Sequence, residues 1–74
     1  MKLVSFKNIK DYHFSLKFEN NFFKDKNLEK LIKNKVKITD LKTAKINTEW
    51  GCLEFNNGKI DIEPATLYKF CTQN

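Results

Sequence analysis

Arginine is absent from this sequence: all fourteen basic side chains are lysine, set against nine acids for a formal net charge of +5. That absence weighs against reading of base sequence, because the planar guanidinium grips a base edge or a phosphate through two bonds at once, whereas an ammonium is a mobile point charge. Glycine occurs only at Gly51 and Gly58, too sparsely for a loop that cradles phosphate. His13 is the sole histidine, and Cys52 and Cys71 have eighteen residues between them and no C-x-x-C, so neither a zinc cluster nor a disulfide framework is indicated. Both cysteines read as reduced thiols. No apolar run approaches the length that spans a bilayer, and the opening MKLVSFKNIKDYHF has no stretch of signal-peptide character. The expectation is a cytoplasmic protein without a membrane segment.

What the chain does have is aromatic bulk. Seven Phe, two Tyr and one Trp in 74 residues supply much of the apolar area available for a core. A domain this short buries only about 60% of the surface its unfolded chain exposes, so large side chains fill a core with few positions. No Ser-, Gly- or Pro-rich linker, repeat or charge block interrupts the sequence, and residues 1–74 read as a single small domain.

Hydrophobic period assigns most of the elements. In YHFSLKF (12–18), Tyr12, Phe14, Leu16 and Phe18 alternate with His13, Ser15 and Lys17, which is a strand with one buried face. It pairs as a hairpin with the apolar-rich segment 3–9. ENN at 19–21 is turn chemistry, and FFKDK returns as a third strand. Leu28, Leu31 and Ile32 fall at i, i+3 and i+4, which predicts a short helix near 27–34 with Asn27 as its N-cap. Segment 36–42 has no decisive pattern. KTAKINTEW (42–50) reads as a strand, and 51–55 and 59–62 form a second hairpin around Asn56, Asn57 and Gly58, since Asn-Gly between alternating residues is the strongest short-range hairpin signal. Pro64 suits the first position of a helix, and Leu67, Phe70 and Cys71, with Tyr68 beside them, give a C-terminal helix near 64–71 a buried stripe. The fold class is α+β with a small antiparallel sheet.

Few residues look like chemistry. Asp61 and Glu63 share a face if extended and could in principle bring two carboxylates together, but their position beside Pro64 places them near the positive end of a helix dipole, and a corner explains both. NNGKIDIEP does not follow the calcium-loop pattern. His13 falls on the polar face of its strand, with no nucleophile signature around either cysteine. No catalytic, cofactor or metal-binding residue is expected, and no cofactor. Trp50 reads as a core or half-buried anchor; the other reading is an exposed contact, because Trp is enriched at interfaces.

EWGCLEFNNGKIDIEPATLY, with MKLVSFKNIKDYHFSLKFENN ahead of it, resembles the small bacterial domain of unknown function 2442. The matching residues are Phe18, Glu19, Asn20, Gly51, Leu53, Phe55, Asn57, Gly58, Asp61, Ile62, Pro64, Leu67 and Tyr68. This chain departs from the pattern in a shorter stretch between Lys35 and Lys45 and in Asn21, where a glycine is common. The resemblance implies an α+β domain with no established catalytic residues or cofactor, encoded beside another small protein in an arrangement like a toxin and antitoxin pair. Some relatives carry a fused helix-turn-helix, which this sequence lacks. The expected function is therefore a non-catalytic protein-interaction module, antitoxin-like, that engages a small protein partner or its own copy through a sheet face or edge. Trp50, Asp61, Glu63, Pro64 and Tyr68 are the candidate interaction residues. The alternative is a basic nucleic-acid-associated protein that uses its lysine-rich surface.

Overall fold

A computed structural model describes residues 1–73. The chain runs β1 (Leu3–Lys10), β2 (His13–Phe18), β3 (Phe23–Asn27), α1 (Glu29–Ile32), a 3-10 helix (Ile38–Thr43), β4 (Lys45–Ile46), β5 (Leu53–Phe55), β6 (Ile60–Ile62) and α2 (Pro64–Thr72). It is an α+β fold with two antiparallel three-stranded sheets, ordered β1-β2-β3 and β4-β5-β6.

The alternation around β2 does what its period demands. Tyr12, Phe14, Leu16 and Phe18 are buried, while His13 and Lys17 are exposed on the other face. β1 is less regular. Its register against β2 slips between Leu3 and Ser5 and between Asn8 and Lys10, leaving Val4 and Ile9 without partners. An extra residue in one strand turns side chains away from the alternation, and these two aliphatics are 50% and 48% exposed.

One core serves both sheets. The Phe14 and Phe55 rings meet edge-on with centroids 6.4 Å apart, joining β2 to β5, and Phe18 meets Tyr68 of α2 at 5.0 Å and 87°. Phe14, Phe18 and Phe55 are fully buried, each contributing about 1.5–3 kcal/mol by removal from water. Leu53, Leu67, Ile62 and Cys71 close the core from the second sheet and α2. Main-chain bonding reinforces the joint, since the Leu3 amide donates to the Gly51 carbonyl at 3.1 Å.

Three elements differ from expectation. α1 is one turn, Glu29–Ile32, rather than 27–34. Asn27 is not its N-cap: Leu28 holds that position without a side-chain capping bond, and Asn27, one residue earlier, accepts from the Glu29 amide through Oδ1 at 2.8 Å. After Ile32, however, Lys33, Asn34 and Lys35 are all exposed and nothing apolar extends the face, so a turn carries Val36 back into the core. Segment 36–42 resolves into the 3-10 helix, whose start is fixed by the Lys37 amide donating to Asp40 Oδ2 at 3.0 Å and whose Leu41 is buried. The strand read at 42–50 survives only as Lys45–Ile46, because Asn47 diverts the backbone into a loop.

Candidate functional site

Asn47 organises the loop that leads into β5. Its Oδ1 accepts from the Glu49 and Trp50 amides at 3.0 and 3.1 Å, and its carbonyl accepts from the Gly51 amide at 2.6 Å. Its own amide donates to the Cys52 carbonyl at 3.0 Å, while Nδ2 donates to Glu54 Oε2 at 3.1 Å. A side chain that satisfies nearby amides in this way substitutes for strand pairing and fixes a turn. Gly51 completes the turn at φ +76°, with Lys2 Cα only 2.7 Å from where a β-carbon would sit. Left-handed backbone and close approach both require glycine there.

The consequence is the placement of Trp50. Its side chain is 66% exposed, the most exposed of the large hydrophobic residues among those described, so the core or half-buried reading of Trp50 is corrected. The loop is tied down on both sides of Trp50 by these hydrogen bonds, and it is the following residues, Gly51 and Cys52, that are buried.

Trp50 lines a groove of about 460 Å³ together with Met1, Asn47, Cys52, Asp61, Glu63, Pro64 and Ala65. Asp61, Glu63, Pro64 and Ala65 come from the stretch where β6 ends and α2 begins. Ile62 turns into the core, which leaves Asp61 and Glu63 exposed on either side of it. Pro64 occupies the first turn of α2, where its missing N–H is no loss. Glu63 precedes it in extended conformation, and its carbonyl accepts from the Leu67 amide at 3.0 Å. Its carboxylate makes no capping bond. The acids thus lie beside the helix start as the sequence suggests, yet neither forms an ion pair among the described residues.

Acidic side chains bear on the thiol in this groove. The Cys52 thiol is pushed above its ordinary value of 9.0, first by burial and then by Asp61, Glu54 and Glu63. Cys71, on the buried face of α2, is likewise raised by burial, with Lys26 and Lys24 pulling in the opposite direction. A nucleophilic cysteine needs a lowered pKa and access, and both thiols here are buried and raised. Among the described residues no three of His, Cys, Asp and Glu converge on one point.

A second hollow, of about 760 Å³, lies between β3, α1 and the C-terminal end of α2 and is rimmed by Lys24, Lys26, Lys30 and Lys33. Lys26 Nζ stands 5.3 Å from the centre of the Phe70 ring. Asp25 and Glu29 share the same rim and dilute its positive charge.

Of the five candidate residues, the fold brings Trp50, Asp61, Glu63 and Pro64 together in one groove. Tyr68 is elsewhere: it packs against Phe18 and Phe22, and its hydroxyl accepts from Asn20 Nδ2 at 3.2 Å. Its evident role is to seat α2. Asn47 was not among the candidates, although an Asn and a Gly framing Thr48–Trp50 is the turn signal that could have marked it. Among the described residues no helix is long and apolar enough to cross a membrane.

Residues 3–73 match a family described as "Protein of unknown function (DUF2442)". No curated protein and no solved structure matches the chain.

Proposed function

This chain belongs to the DUF2442 family, and from that premise we propose that it is a non-catalytic protein-interaction module, the antitoxin-like partner of a small co-encoded protein, with the Trp50 groove as its contact centre. The observation that carries the reading is a lone Trp held out of the core by a fully bonded loop. Exposing an indole forgoes about 2 kcal/mol or more of burial. A rigid, exposed aromatic loses little freedom on binding, which is why such side chains anchor interfaces. The raised thiols supply no activated nucleophile, in keeping with a binding role.

The experiment is affinity capture of the tagged full chain from its native host, with and without nuclease, for the natural sequence and for Trp50→Ala. A small protein recovered in stoichiometric amount, resistant to nuclease and lost with Trp50→Ala, is the expected result. Nucleic acid that vanishes with nuclease is the result that overturns it. That second reading, a nucleic-acid-associated protein, is favoured by one observation, the four lysines around the larger hollow. It predicts binding that weakens steeply with salt and depends on Lys24, Lys26, Lys30 and Lys33.

A further inference from the structure

The Trp50 groove is not neutral apolar surface, and its charge specifies what can fill it. Two carboxylates, Asp61 and Glu63, line the groove together with the indole. Neither is engaged in an ion pair among the described residues. Lys35 shares a separate hollow with both acids on the side of Leu31 and Thr66, and it does not reach ion-pair distance. Met1 also lines the groove, but its ammonium stands 3.8 Å from Glu19, so among the described residues no cation is at ion-pair distance from either acid, on a molecule whose net charge is +5.

We propose that the occupant of this groove is a cationic segment of a protein partner, with an arginine or lysine side chain laid over the Trp50 ring and its charge between Asp61 and Glu63. The inference rests on the groove being the contact site and adds the chemistry of the partner. An aromatic face attracts a cation through its quadrupole, most strongly when the ring is Trp. The carboxylates complete the recognition, since charge-assisted bonds to carboxylate are stronger than neutral ones, and the guanidinium fork suits them best. The volume of about 460 Å³ falls in the range that accepts a few side chains.

Other occupants fit worse. An acidic or phosphorylated segment would meet two like charges. A wholly apolar segment would cover the indole, Pro64 and Ala65, but would strip water from Asp61 and Glu63 and leave them unpaired, which costs several kcal/mol per ion. A second copy of this chain could present a lysine, yet two molecules of charge +5 repel at long range. The same repulsion sharpens the test: the overall field of the protein opposes a cationic ligand, so any attraction to one must be local.

Trp50 is the only Trp, so its fluorescence reports on the groove alone. The probe is a short acetylated and amidated peptide of glycine and arginine, titrated into the full chain at low salt. Matching peptides with citrulline or glutamate in place of arginine serve as controls. The expected result is a saturable change with the arginine peptide, none with the controls, and affinity at least about tenfold weaker for Asp61→Asn combined with Glu63→Gln. Both side chains are exposed and unpaired, so an unchanged thermal melt shows that the variant is folded. No saturable change up to about 10 mM peptide, equal binding by the citrulline peptide, or equal binding by the variant overturns the inference. Self-association of the chain that disappears in the double variant also overturns it, by naming a second copy as the occupant. If capture of a partner depends on Trp50 while the arginine peptide does not bind, the groove remains the contact site and only its cation specificity fails.

Discussion

Replacing Tyr12 with phenylalanine removes one oxygen and tests how the middle of the chain is held. α1 has four residues, far below the length at which a helix persists unaided, so tertiary contacts must fix it. Tyr12 does so at both ends. Its carbonyl accepts from the Leu28 amide at 2.9 Å just before α1, and its buried hydroxyl donates to the Val36 carbonyl at 2.6 Å just after it. Leu28, Ile32 and Val36 are fully buried between these two bonds. In Tyr12→Phe the first bond remains and the second is lost. The Val36 carbonyl, buried and without another partner among the described residues, is then left unsatisfied, at a cost of about 1–3 kcal/mol. A loss of about 2 kcal/mol is expected, equivalent to a fall in Tm of roughly 8–16 °C for a domain of this size. Urea unfolding measures the loss, and hydrogen exchange locates it, with the amides of Leu31 to Val36 accelerated before those of β2. A loss under about 0.5 kcal/mol, or exchange accelerated uniformly, would refute the clamp.

Three further outcomes follow from named geometry. Gly51→Ala forces a β-carbon against the Lys2 backbone at φ +76° and is expected to cost at least about 2 kcal/mol in urea unfolding, disturbing the junction of the two sheets. Trp50→Ala is expected to change stability by no more than about 0.5 kcal/mol, and the intact protein to emit with the long-wavelength fluorescence of a solvated indole. Both thiols are raised above 9.0 in the folded chain, so in the alkaline window above that value the folded state retains protons that the unfolded state releases. The thiols' contribution is thus fully present at neutral pH and is lost as pH rises through this window. Melts across pH 7–11 should show a shallower alkaline decline for Cys71→Ala than for the natural chain, relative to each protein's own neutral value.

The two ends of the fold are legible because their signals are local. Four alternating apolar residues in β2 fix both its face and its partners, and Asn56, Asn57 and Gly58, all at positive φ, mark the second hairpin as the sequence predicts. Pro64 marks the start of α2 for the same reason. The middle was not legible, since Leu41 is placed by the core and Thr43 is held by a residue distant in sequence: the Asn56 amide donates to its hydroxyl at 2.8 Å. The site divides in the same way. Asp61, Glu63 and Pro64 follow from the helix start, whereas the exposure of Trp50 depends on the loop that Asn47 ties and on Gly51 abutting Lys2. A residue's hydrophobicity states what burial would gain, not whether the backbone permits it.

The most direct test of the interaction-module account is the dissociation constant of the captured small protein for the natural chain and for Trp50→Ala, measured by calorimetry with Lys17→Ala, on the exposed face of β2, as control. The account predicts a loss of about 2 kcal/mol or more for Trp50→Ala, about thirtyfold in affinity, and little change for Lys17→Ala. Affinity for Trp50→Ala within about threefold of the natural chain would contradict it, because the groove would then lie outside the contact.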